Sequence, residues 1–196
     1  MGIFLAAVFF LLITPGPGVL STAGVGAAYG RAAGHRYVAG LCLGTNLVAL
    51  AVVTGVAALV LAQPVLRSVL LVASVAYLLW LALRIALAGS GIAFIKSDTA
   101  PGFGDGLALQ AINPKAYVVN TTLFTGFAFE GMSLASETAW KFALINLVWI
   151  PIHLLWLAAG IALENLSLDP RRQRLINVGM ALSLLAVVLL ALLAGR

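Results

Sequence analysis

Apolar residues run through this chain in six long blocks, at about residues 3–28, 37–62, 65–88, 106–129, 138–163 and 175–194. Each reaches the roughly 20 residues that a helix needs to cross a bilayer. Polar and turn-forming residues collect between the blocks, chiefly at 89–105 and 166–174. The pattern predicts an all-α membrane protein of six transmembrane helices in a single domain, 1–196. Residues 1–13 carry no basic segment of the kind that opens a signal peptide, so they are expected to begin the first span.

Two blocks are interrupted. The first contains Thr14-Pro15-Gly16-Pro17-Gly18 and the fourth Asn113-Pro114-Lys115. In lipid both sequences are costly, because Pro frees a backbone carbonyl and a mid-membrane ammonium costs roughly 2.5–3.5 kcal/mol on insertion scales. Pro15 lies about 12 residues into its span and Pro114 about 8 into its own, roughly 18 and 12 Å from opposite faces at 1.5 Å per residue. Pro15 and Pro114 are 99 positions apart, and Asn46 and Asn146 in the following spans are 100 apart. Three spans are an odd number, so two such halves, about 1–98 and 99–196, would lie in opposite orientations. Paired interruptions in corresponding spans predict a 3+3 inverted repeat with helices 1 and 4 broken at Pro and Gly and a site near the midplane.

The polar residues within spans fall on helical faces. Asn113, Tyr117, Asn120, Thr121 and Phe124 share one face of the fourth span. That stripe is expected to point inward, either lining a site or bonding helices together. The fifth span carries Asn146, Trp149, His153, Trp156 and Gly160, with Pro151 available to kink it. His153 suits a proton relay or, equally, a neutral ring bonded to a carbonyl. Gly40, Gly44, Ala51 and Gly55 form a small-residue seam in the second span, beside Asn46; Ser74, Tyr77, Leu81 and Arg84 share a face in the third. Lys115 either snorkels to the near interface or, buried, binds an anion or exchanges a proton.

Composition strengthens the membrane reading. Hydrophobic residues make up 63% of the 196 and charged residues 9%, with a mean hydropathy of +1.12. The net charge of +5 comes from 11 Lys and Arg set mostly between spans, which argues for topology and against nucleic acid. Arg31, Arg36, Arg84, Lys96, Arg171, Arg172 and Arg174 fall on one side, and Arg67, Lys141 and Arg196 on the other. Seven against three places both termini outside the cytoplasm. The single Cys42 excludes an intrachain disulfide and thiol-metal pairs. All six acids, Asp98, Asp105, Glu130, Glu137, Glu164 and Asp169, lie in loops or at span ends, which disfavours metal or other cation transport. A broken helix presents free N–H groups to an anion instead, and a carboxylate is a good match.

The stretches Thr14-Pro15-Gly16-Pro17, Tyr29-Gly30-Arg31-Ala32-Ala33-Gly34, Ala76-Tyr77-Leu78-Leu79-Trp80-Leu81 and Asn113-Pro114-Lys115-Ala116, in this order and spacing, resemble the lysine-exporter and homoserine/threonine-resistance (LysE/RhtB) family of small bacterial inner-membrane exporters. The resemblance covers nearly the whole chain. It implies six spans, efflux of amino acids or their derivatives in exchange for protons, and a homodimer. Gly18 stands where members often carry Asp, and Phe124-Thr125-Gly126-Phe127 departs from the usual aromatic-rich ending of the fourth span.

The sequence therefore predicts a transporter without cofactor or metal. Its expected partners are an amino-acid substrate and membrane lipids, and its substrate-binding residues Pro15, Gly16, Pro17, Asn46, Tyr77, Asn113, Pro114, Asn120 and Thr121, with Lys115 and His153 as coupling candidates. Two rivals are an intramembrane hydrolase, using Ser21, Ser74 or Ser183 with His153, and a structural assembly protein. No Gly-x-Ser-x-Gly elbow supports the first.

Overall fold

The computed structural model describes residues 1–14, 16–55, 62–86 and 100–165, with residues 171–172, 174–175, 178–179, 181–182 and 185 beyond them. Pro15, Lys96, Ser183, most of 89–105 and most of the sixth predicted span lie outside the described residues, as do the side chains of Arg67, Ser74 and Arg84. Among the described residues the secondary structure is helical throughout. The elements are α1 (Gly2–Ile13), α2 (Pro17–Val53), α3 (Pro64–Ala86), α4 (Phe103–Ile112), α5 (Pro114–Thr125) and α6 (Leu134–Asn165). Two helices, Pro17–Val53 and Leu134–Ala162, are long and apolar enough to cross a membrane.

The first apolar block is thus two helices, α1 and the start of α2, separated at Thr14 to Gly16, and the fourth is α4 and α5, separated at Asn113. Pro17 and Pro114 each occupy the first turn of the helix that follows, where a missing N–H costs nothing and the fixed φ suits a helix start. The second block does not begin at Tyr37. The helix restarts directly after Gly30, whose φ of 73° and ψ of −169° divide α2 into two limbs. Only glycine adopts that conformation cheaply.

Close approaches give the direction of each limb. A Cβ on Gly18 would lie 3.3 Å from His153 Nε2, one on Gly160 2.2 Å from the Ala23 carbonyl oxygen, and one on Gly26 2.9 Å from the Leu157 carbonyl oxygen. The first limb therefore runs parallel to α6. On the second limb a Cβ on Gly34 would meet Leu157 at 2.2 Å, while Asn46 reaches Asn146, so this limb runs antiparallel to α6. The chain turns back on itself at one residue.

The second limb also runs alongside α4. A Cβ on Gly40 would stand 1.9 Å from the Phe103 carbonyl oxygen, one on Gly106 2.2 Å from that of Tyr37, and one on Gly44 2.6 Å from Gln110 Cβ. Half of the expected seam, Gly40 and Gly44, sets this contact; Gly55 lies at the helix end with φ 78° and open space beside it.

One apolar core joins Tyr37, Leu41, Leu78, Leu81, Leu109, Trp149 and Leu157; a second gathers Phe4, Val8, Val119, Leu123, Phe129 and Ile145. Phe4 meets Phe127 and Phe129 edge-on, with ring centroids 5.5 and 5.2 Å apart. Leu43, Leu47 and Leu50 on α2, and Leu147, Ile150 and Leu154 on α6, are exposed at helical spacing. Such apolar outer faces suit lipid.

Candidate functional site

The site is built from the two interruptions. At the first, Thr14 ends α1, with both its N–H and its hydroxyl donating to the Phe10 carbonyl oxygen at 3.3 and 2.6 Å. Gly16 then begins α2 in an extended conformation, φ −160° and ψ 177°, and offers no side-chain cap to the first turn. The N–H groups there have no intrahelical acceptor, and they sit at the positive end of the helix dipole.

At the second, one residue closes α4 and opens α5. A residue before proline is disfavoured in the helical region, and Asn113 is extended at φ −78°, ψ 108°. Its side-chain oxygen accepts from the Lys115 backbone N–H at 3.1 Å, and its amide donates to Gln110 Oε1 at 2.9 Å. Tyr117 spans the gap, its hydroxyl donating to the Ala111 carbonyl oxygen at 2.7 Å. The Asn-Pro pair thus breaks the span and satisfies the groups that the break exposes.

The breaks face each other. The Lys115 side chain runs beneath Gly16, where a Cβ would lie 2.7 Å from Cδ and 3.0 Å from Nζ, and its ammonium donates to the Thr14 carbonyl oxygen at 2.6 Å. Lys115 therefore reaches inward to the opposite break. The contact places a cation at the negative end of α1.

Between the breaks lies a cavity of about 50 Å³ available to water centres, room for roughly three to five waters at 10–15 Å³ each. Thr14, Gly16, Gly18, Asn113 and Lys115 form its broken-helix walls; Gln110, Thr45, Asn120, Trp149 and His153 close it. His153 is buried, its ring stacked on Trp149 with centroids 3.5 Å apart and planes 13° from parallel. Its Nδ1 lies 3.0 Å from the Trp149 carbonyl oxygen. A carbonyl only accepts, so this bond assigns the proton to Nδ1 in the neutral ring and leaves Nε2 as an acceptor beside Gly18. The Asn120 amide donates to the Ala116 carbonyl oxygen at 2.8 Å, which leaves its side-chain oxygen to the cavity.

Of the expected site residues, Gly16, Asn113, Asn120, Lys115 and His153 line this cavity, and Pro17 and Pro114 flank it at the first turns of α2 and α5. Three lie elsewhere. Asn46 and Asn146 exchange reciprocal amide bonds of 2.9 and 2.7 Å, and each also donates to the carbonyl four residues before it. Tyr77 donates to the Asp105 carbonyl oxygen at 3.1 Å, and Thr121 is on the exposed side of α5. Ser21, offered above as a nucleophile, donates to the Gly18 carbonyl oxygen at 2.9 Å.

Gly18, Gln110, Thr45 and Trp149 belong to the cavity without having been singled out as ligands. Gln110 lies three residues before Asn113, within reach on one helical turn, and that spacing was the available signal. Lys141 had been assigned only to a surface. It is 1% exposed, its ammonium donating to the carbonyl oxygens of Phe124, at 2.9 Å, and Phe127, and pairing with Glu137 at 2.6 Å. It lies below the Phe124 and Phe129 rings and caps the end of α5. Glu137 and Lys141 at i,i+4 were the sequence sign. Among the described residues no group of His, Cys, Asp or Glu could hold a metal.

Apolar outer faces, membrane-length helices and a polar cavity between two interrupted helices define a membrane translocator. Residues 9–195 match the LysE type translocator family, and the chain belongs to it. That family consists of transporters and not enzymes. No curated protein and no solved structure matches the chain.

Proposed function

We propose that the protein exports small amino acids or amino-acid derivatives across the bacterial inner membrane by alternating access around the cavity between the two breaks, in exchange for protons. The observation that carries this reading is the meeting of two helix interruptions, 101 positions apart, through the Lys115 bond to Thr14. A carboxylate fits the uncapped start of α2, where the N–H groups and dipole favour negative charge. His153 Nε2 and the Asn120 side-chain oxygen are acceptors for the polar remainder of the cargo. The extended residues Gly16 and Asn113 serve as hinges.

A 3+3 inverted repeat underlies the movement in this reading. The first limb of α2 and the α4–α5 pair run oppositely, and Asn46 meets Asn146, 100 positions away, in a reciprocal pair such as a two-fold axis would create. Arg31 and Arg36 follow the Gly30 reversal, which by the positive-inside rule faces the cytoplasm.

Counterflow of labelled amino acids into preloaded proteoliposomes tests the proposal. Wild-type protein is expected to give saturable, pH-dependent counterflow of at least one of the common L-amino acids, and folded Asn113→Ala and Pro114→Ala to give none. Wild-type rates in those two variants would contradict the assignment of the site.

A further inference from the structure

The charges of the cavity do not match those of its expected cargo. Among the described residues Lys115 is the only formally charged side chain lining it and no carboxylate lines it, and an amino-acid zwitterion would bring a second ammonium. The negative poles on hand are neutral: the carbonyl end of α1 at Thr14, the Asn120 side-chain oxygen and His153 Nε2. The strongest of these, the Thr14 carbonyl at the dipole's negative end, is held by Lys115 at 2.6 Å.

We propose that the Thr14 carbonyl is the ammonium subsite of the transporter, that Lys115 holds it as a tethered stand-in, and that the cargo ammonium and the Lys115 ammonium exclude one another there. The proposal rests on the transport reading above and adds the coupling step to it. In a cavity with room for only a few waters, and with no acid among the described residues that line it, two ammonium groups do not share one carbonyl. Loading therefore proceeds with Lys115 giving one proton to cavity water: –NH3⁺ becomes –NH2, and the cargo ammonium takes over the donation to Thr14. After cargo leaves on the far side, a proton from that side restores the Lys115 ammonium and its bond. One amino acid moves outward and one proton inward, with no acidic residue in the cycle.

The neighbours of Lys115 are consistent with this role. Among the described residues the cavity presents no titratable side chain on α1, α2 or α4; on α5 itself Tyr117 is bonded to the Ala111 carbonyl; on α6 the titratable group is His153, which lines the same cavity. The Lys115 backbone N–H is held by Asn113, so the side chain can swing from a fixed root. Gly16 leaves the space that its stem needs.

The test uses the full chain in proteoliposomes, the L-amino acid that gives the largest wild-type counterflow, and that compound's des-amino carboxylic acid. Wild type is expected to release one proton per amino acid bound, read with a pH dye. Lys115→Met should lose both the proton signal and accumulation driven by a pH gradient, and any counterflow it gives should no longer depend on pH. Lys115→Arg, which keeps its charge at all accessible pH, should lose counterflow on the order of 100-fold or more, as two nearby unit charges impose. It should still be stabilised against heat by the des-amino acid. Gradient-driven accumulation by Lys115→Met at the wild-type level, or wild-type counterflow by Lys115→Arg, would overturn the proposal while leaving the transport reading intact. If Lys115→Met does not fold, Lys115→Arg and the wild-type proton count decide. Absence of counterflow from wild type with every amino acid would overturn the transport reading and this proposal together.

Discussion

Asn113 does three things at once, and its replacement separates them. Its oxygen caps α5, its amide holds Gln110, and its extended backbone makes the break. Asn113→Ala removes the cap, worth about 1 kcal/mol, and takes from the Gln110 side-chain oxygen its amide donor. The expected result is a drop of roughly 1–3 kcal/mol in stability, seen as a lower melting temperature in detergent. Gly16→Ala acts differently. Its Cβ would enter the space of Lys115 Cδ, so the amine should leave Thr14. We predict that Lys115 in Gly16→Ala becomes several-fold more reactive toward an amine-directed reagent; unchanged labelling would show that the stem is not constrained there.

The same scale shows what the sequence could express. The Asn-Pro break was legible because capping chemistry is local, carried by neighbouring residues. The direction of Lys115 was not, since its partner is 101 positions away and is a main-chain carbonyl. The face of α5 was read from its polar residues, Tyr117, Asn120 and Thr121, whereas the inward face is Ala116, Val119 and Asn120. Tyr117 satisfies its hydroxyl on the broken helix beside it, so its polarity says nothing about the cavity.

Among elements, α2 departs furthest from expectation. Tyr29-Gly30-Arg31 reads as a loop between two spans, yet the reversal takes one glycine at φ 73°. Backbone conformation of this kind leaves no trace in hydropathy. Gly30→Ala should cost about 1–3 kcal/mol, because the residue would occupy a glycine-only region. Reduced yield of folded protein with unchanged transport per folded molecule is the expected outcome. The Asn46–Asn146 pair was legible as a coincidence of spacing, but its geometry assigns it to packing between α2 and α6. A single Asn46→Leu removes both bonds between the two side chains and leaves Asn146 its bond to the Phe142 carbonyl, with its oxygen deprived of the Asn46 donor. The double replacement removes both amide side chains, so its melting temperature is expected to lie above that of either single variant. Strict additivity of the two singles would contradict direct pairing.

For the whole molecule, the six apolar blocks and both interruptions follow from the sequence. Which segments approach closely enough to need glycine, as Gly40 does against Phe103 and Gly160 against Ala23, emerges only from assembly. The loop from Gly126 to Ser133 is tied to α6 by the Glu137 carboxylate, which accepts from Lys141 and from the Phe129 N–H. The Lys141 bond, aided by the Phe129 N–H, holds this carboxyl below the usual carboxylate range. A depressed folded pKa means that this contribution is present above the unfolded value of 4.5 and is lost as pH falls through the lower folded one. Thermal stability of wild type should therefore decline more steeply than that of Glu137→Gln as pH is lowered below about 4.5.

In the proposed function, cargo passes through the space between the two breaks. Gly18 lines that space on the first turn of α2, where any residue can adopt the backbone and where a side chain would project toward His153. Counterflow by Gly18→Leu is the most direct measurement. Gly18→Leu is expected to fold, to melt within a few degrees of wild type and to give no counterflow of the amino acid that wild type carries. Wild-type counterflow through a folded Gly18→Leu would place the route elsewhere.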